Sequence, residues 1–296
     1  MSDRWSTACK DGEDFAKGSL LMRNATRMCL MGCVLGSLAT SAFAEDTEDV
    51  PPVSLAPDGQ YAVMRGVQGP AGMVSARILL DFNLSADLAG KPISLAPDLY
   101  YSVTDKLQLG LLHEGPMGWQ ARPGLGLCLT GESNGCPKVY DNVGLDVMYG
   151  VAFGEFHLST HTSLFVSHFD PFTTSLAVGA AGKARFGDRV ALLFDPKIAV
   201  ALTERDTNDD AVYIPLELQF QAGAATTLKL LTGLSGGISA FGDTYEVPVG
   251  VGLLQNLTTH FDLGARFSFD NLLGHETAGV GRADTRSLAI LLNVRS

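Results

Sequence analysis

The sequence predicts an all-β fold, an up-and-down antiparallel β-barrel of about twelve strands that crosses a membrane with its apolar face outward. Three observations carry this. Apolar side chains recur at every second position along most of the chain after residue 73, the period of a strand. The connections between these segments alternate between tight and long. After the N-terminal leader, no unbroken apolar run reaches the ~20 residues that a spanning helix needs.

At the N-terminus, Arg23 and Arg27 precede the apolar run Met28 to Leu38, and Ala42-Phe43-Ala44 offers small residues at a cleavage spacing. A secretory signal peptide is expected from Met22 with cleavage after Ala44, residues 1–21 being an upstream extension. Leu30-Met31-Gly32-Cys33 partly resembles a lipoprotein processing site, but five residues between Arg27 and Cys33 make too short an apolar run. Residues 45–296 are the expected exported chain. The leader holds five of the 21 basic and four of the 32 acidic residues, which leaves 16 against 28 and a net charge of −12. No basic patch points to nucleic acid. Residues 45–72 are acidic and carry Pro51, Pro52, Pro57 and Pro70, as a periplasmic lead-in would, with Gln60 to Val67 as one further short strand.

Strand by strand, the apolar face is given first. Val74, Ala76, Ile78, Leu80 and Phe82 oppose Ser75, Arg77, Leu79, Asp81 and Asn83. Leu99, Tyr101 and Val103 oppose Asp98, Tyr100 and Ser102, and Leu107, Leu109 and Leu111 continue after a turn. Val143 to Phe153 alternates against Gly144, Asp146, Met148, Gly150 and Ala152. Phe156, Leu158, Leu164 and Val166 oppose His157, Ser159, His161 and Ser163. Leu176, Val178 and Phe186 oppose Lys183 and Arg185. Leu192, Phe194, Ile198 and Val200 oppose Asp195 and Lys197. Val212, Ile214, Leu216, Leu218 and Phe220 oppose Tyr213, Glu217, Gln219 and Gln221. Segments 226–240, 246–254, 260–270 and 286–295 complete the set.

Connections 104–106, 154–155, 187–189, 222–226 and 255–259 are short, and 113–142, 167–172, 203–210, 241–245 and 271–285 are mostly longer. Phe153, Phe156, Phe186, Phe220 and Phe261 all fall on the apolar face beside the short turns, as an aromatic girdle does. About twelve strands enclose a lumen too wide to fill with Leu and Val, so the apolar face is placed in lipid. The lumen then receives Arg77, Asp81, Asp98, Asp146, Lys183, Arg185, Asp195, Lys197, Glu217, Lys229, Asp262 and Arg266.

Over residues 73–296 the chain resembles bacterial outer-membrane β-barrel proteins, of the porin-like and transport kind. The hairpins Ser102-Val103-Thr104-Asp105-Lys106-Leu107-Gln108-Leu109-Gly110-Leu111 and Asn256-Leu257-Thr258-Thr259-His260-Phe261-Asp262-Leu263-Gly264 carry the resemblance. Such chains commonly end on an aromatic residue that helps assembly, whereas here the sequence reads Leu292-Asn293-Val294-Arg295-Ser296. The resemblance implies the bacterial outer membrane as location, and its lipids and assembly machinery as partners. It also implies either passage of small solutes through the lumen or a structural barrel without flux. A surface binding or adhesion barrel stays open beside these.

Three patterns bear on chemistry. Cys128 and Cys136, in an exported chain, are an expected disulfide that restrains the longest loop, 113–142, which also holds Trp119; the loop then caps the mouth or folds inward. His161, Ser163 and Asp146, with His157 and Ser159 nearby, hold the side chains of nucleophilic acyl transfer, as in outer-membrane lipid A deacylases; the bland alternative is a lumen hydrogen-bond network. Asp206, Asn208 and Asp210, with Glu217, match calcium-loop positions 1, 3, 5 and 12, but Ala211 stands where that loop needs Gly. No cofactor motif is present.

Overall fold

A computed structural model describes residues 61–115, 124–276 and 281–296. The signal peptide, lead-in residues 45–60 and Trp119 lie outside the described residues. The strands are β1 Val74–Asn83, β2 Ile93–Ser102, β3 Leu107–Leu112, β4 Leu127–Cys128, β5 Val143–Ala152, β6 Phe156–Phe169, β7 Phe172–Phe186, β8 Val190–Phe194, β9 Lys197–Ala201, β10 Ala211–Gln221, β11 Thr226–Gly237, β12 Val249–Asn256, β13 Phe261–Phe269 and β14 Arg286–Arg295. All pairings are antiparallel, and β1 closes on β14 from Ser75↔Arg295 to Asn83↔Ser287. The result is a closed twelve-strand barrel in which β8 and β9 share one position in the wall and the short β4 extends the position of β3. Closure leaves no unpaired strand edge facing lipid.

The burial pattern is inverted relative to a soluble protein. Leu145 is 60% exposed and Val251 54%, and Val147, Leu164, Leu228, Leu230, Leu253 and Leu263 are likewise exposed. The alternate positions hold buried Asp81, Asp98, Asp146, Lys183, Lys197 and Asp262. In water such a surface would be unfavourable, whereas in hydrocarbon it costs nothing, and the ions it turns inward stay hydrated or paired.

Two prolines explain departures from simple alternation. The segment read as one strand over 192–200 is broken at Asp195-Pro196, which faces Pro215 of β10: the ladder runs to Leu216↔Phe194 and resumes at Tyr213↔Lys197. Neither proline has an N–H to give, so the rungs between are missing and the Asp195 amide donates to the Pro215 carbonyl at 3.2 Å instead. The strand read from Leu99 starts six residues earlier, at Ile93, and includes Pro97. Pro97 falls between the stretch of β2 paired with β4 and the stretch paired with β3, where no donor is required, and its carbonyl meets His113 Nδ1 at 2.6 Å.

The girdle of phenylalanines is real for Phe156, Phe186, Phe220 and Phe261, all exposed. Phe153 is a correction: a bulge between Gly150 and Ala152 shifts the phase of β5, and the Phe153 ring turns in to meet His157 edge-on at 6.1 Å. The connection read as 167–172 shrinks to Asp170-Pro171, because β6 and β7 extend to Phe169 and Phe172. Residues 62–64 form a 3₁₀ turn, not a strand.

Reversing the polarity of the outer face tests this orientation. Val251→Arg places a charge on the lipid side of β12 and is expected to lower the unfolding free energy of the barrel in bilayers by about 2–4 kcal/mol, read by urea titration. An unchanged midpoint would mean that Val251 does not face lipid.

Candidate functional site: the barrel lumen

The chain enters the barrel through its own lumen. Residues 61–73 cross the end carrying the short turns, which in barrels of this class is the periplasmic end. Val63 is fully buried, and the Ala62 carbonyl accepts from Lys183 Nζ of β7 at 2.6 Å. Arg65 reaches β13, its two terminal nitrogens on the two oxygens of Asp262 at 2.6 and 3.2 Å. Gln68 Nε2 donates to the carbonyls of Lys106 and Met148, and its oxygen accepts from Ser159 of β6. The Gly69 amide donates to Gln108 of β3, and the Gly72 amide to the Ser102 carbonyl of β2. One strap therefore touches strands on opposite sides of the mouth.

Above the strap, one half of the wall is an arginine–carboxylate network. Arg77 of β1 pairs with Asp98 of β2 at 2.6 Å and with Glu114 at 2.6 Å, and Arg266 of β13 pairs with Glu114 at 2.8 Å and more loosely with Asp81 at 3.7 Å. Glu114 belongs to the loop after β3, which leaves the wall at Leu112 and dips into the lumen. His113 and Glu114 both donate their amides to Asp98 Oδ1, and the Asn142 amide group holds the His113 carbonyl at 2.6 Å. The loop thus folds inward over its first residues. Phe165 also turns in: its ring lies over Gly144, where a Cβ would collide with it, and beside Gly115. Farther along the loop, the Cys128–Cys136 disulfide is formed.

The opposite half carries the Ser, His and Asp set. Ser163 Oγ donates to Asp146 Oδ1 at 2.5 Å, and His161 Nδ1 meets the same oxygen at 3.1 Å while its Nε2 meets Asp195 at 2.8 Å. Carboxylates only accept, so both ring nitrogens are donors, and neither is free to take a proton from Ser163. Acyl transfer needs the order Ser, His, Asp; here the carboxylate sits between the other two. Ser159 is bonded to the strap, and His157 lies under Phe153. Lys197 pairs with Asp195 at 2.7 Å and Lys229 with Glu217 at 2.8 Å.

Glu217 is thereby in the lumen, away from the 203–210 loop. In that loop Asp210 accepts from the Ala201 amide and from Arg205, and Asn208 caps the carbonyls of Thr174 and Thr203. Among the described residues no group of three or more acidic, His or Cys side chains is arranged to hold a metal.

Of the twelve ionisable residues that strand phase assigns to the lumen, all are buried or half-buried; eleven lie within strands and Asp195 in the break between β8 and β9. Sequence reasoning missed Arg65, Gln68, Glu114 and Arg295. Arg295, which pairs with Asp262 at 2.5 Å, was legible, since it falls on the same phase as Ala289, Leu291 and Asn293 of β14. The other three sit outside any strand, where periodicity gives no facing.

No known family's sequence profile matches this chain, and no curated protein matches it in sequence. Among solved structures it is similar to the NanC porin, with 7% identity, a TM-score of 0.51, and coverage of 75% of this chain and 98% of that one. It is also similar to an outer-membrane channel of Pseudomonas putida F1, with 12% identity, a TM-score of 0.50, and coverage of 77% and 97%. The fold is that of the bacterial outer-membrane porins.

The strap's seat has one ionic anchor, and removing it should loosen the strap without opening the wall. Asp262→Asn weakens charge-assisted bonds worth about 1.5–3 kcal/mol to Arg65, so trypsin should cut after Arg65 at least about tenfold faster while the barrel stays folded in detergent. Equal cleavage of variant and wild type would show that Asp262 does not hold the strap.

Proposed function

We propose that the chain is a passive channel of the bacterial outer membrane for small hydrophilic solutes. The observation that carries this is the inner face itself: a closed twelve-strand wall whose inward positions hold paired charges of both signs. The Arg77, Glu114 and Arg266 group narrows the path from one side and the Asp146, His161 and Asp195 group from the other. Solutes able to exchange hydrogen bonds with these groups pass more readily than apolar ones. The porin fold supports the reading.

A second reading, a structural barrel without flux, is favoured by one observation: the strap 61–73 lies across the turn-end mouth. The hydrolase alternative has no such observation, since both nitrogens of His161 are engaged by carboxylates.

Planar-bilayer recording on refolded protein separates the two. Discrete conductance steps are expected from wild type, and larger ones from a variant lacking residues 61–69. A variant whose gel mobility shift on boiling shows it to be folded, yet which gives no steps, would leave only the sealed barrel.

A further inference from the structure

The cations of the lumen fall into two groups. Arg65, Arg77, Lys197, Lys229, Arg266 and Arg295 each lie within 4 Å of a carboxylate. Among the described residues, Lys183 and Arg185 do not. They stand two residues apart on the inward face of β7, at the turn end, so their backbones are separated by about 7 Å along the strand.

Both are met by the strap. Lys183 is 2% exposed, and its ammonium, which has three protons to give, donates to the Ala62 carbonyl at 2.6 Å. Arg185 donates to the Gly154 carbonyl at 2.7 Å and touches the Met64 sulfur at 3.6 Å, while its Nε is buried without a hydrogen-bond partner. Glu217, on β10 beyond the wall position shared by β8 and β9, has its Oε1 taken by Lys229 at 2.8 Å and by Gln219 at 2.5 Å. A buried ammonium is normally matched by a full negative charge; a main-chain carbonyl supplies only a dipole. The Ala62 oxygen therefore occupies a place on Lys183 where a charged oxygen would bind better, and Arg185, two residues along the strand, has its Nε donor to spare.

We infer that Lys183 and Arg185 form an oxyanion subsite in the turn-end half of the lumen, fitted to the carboxylate or phosphate group of a small solute, and that the strap fills it as an internal substitute ligand through the Ala62 carbonyl. The inference rests on the channel reading for the solute's access, but not for the site's chemistry. The strap's other bonds suit a displaceable part: apart from Arg65 to Asp262 and the Ala71 amide to the Asp105 carboxylate they are neutral hydrogen bonds of Gln68, Gly69 and Gly72. When Arg65 leaves, Asp262 keeps Arg295, so the wall loses no compensation there.

The test is calorimetric titration of inorganic phosphate into detergent-folded protein, each variant first shown to be folded by its gel mobility shift on boiling. The variant lacking residues 61–69 is expected to bind phosphate, wild type to bind it far more weakly, and Lys183→Gln in the deleted background to lose binding, with Arg185→Gln weakening it. Absence of binding by the folded deletion variant, binding that survives Lys183→Gln, or equal binding with and without the strap would each overturn the inference. Recordings on the same proteins keep the two claims apart. Phosphate binding without any conductance sinks the channel and leaves the subsite standing; conductance without phosphate binding does the reverse. Where current flows, the reversal potential in a salt gradient should shift toward anions on deletion and return with Lys183→Gln.

Discussion

Inside hydrocarbon no water is present to accept a peptide N–H or donate to a carbonyl, so every main-chain group of the wall must find its partner in the wall. The β1–β14 ladder meets this requirement by closing the sheet on itself. A sheet that must close has an inside, and at twelve strands the inside is too large to be a hydrophobic core. Most of the large side chains pointing inward are thus polar, beside a few apolar ones such as Leu79, Leu231 and Leu254, and many of the polar ones satisfy one another: Asp98 with Arg77, Glu217 with Lys229, Asp262 with Arg295. Places where the ladder itself fails, at Pro97 and at Pro196 opposite Pro215, are repaired locally by His113 and by the Asp195 amide.

Strand phase explains how much of this could be read from sequence. In a wall with lipid on one side and ions on the other, a one-residue slip would place charges in hydrocarbon, so period two is enforced wherever the chain spans. The facing of Arg77, Asp146, Lys183 and Asp262 was legible for that reason. The same logic fails where phase is lost. The bulge before Ala152 reversed Phe153, and nothing in residues 150–156 marks the extra residue. Phe165 is apolar yet faces inward, because Gly144 across the ladder leaves room for a ring; a pattern that scores residues one strand at a time does not see that vacancy.

The candidate site was harder to foresee because half of it comes from segments with no periodicity. Strand phase could assign Asp98 and Arg266 to the lumen but could not predict that Glu114, from a loop, would join Arg77 to Arg266. Ser163 and His161 do meet at Asp146, in an order that strand phase left undetermined. Cross-strand register puts Ser163 opposite Asp146 and His161 opposite Met148, which brings the serine nearer to the carboxylate than to the ring. Proximity is a property of register; who donates to whom is a property of the atoms.

Arg65 and Asp262 are 197 positions apart in the chain. The strap comes early in the sequence, yet the wall that holds it includes one of the last strands to be laid down. A contact so distant in sequence forms late, after the loop between its ends has been ordered. The strap is therefore a marker of completion: it settles only in a barrel whose thirteenth strand segment is already in place, and a partly assembled wall has nothing to receive it.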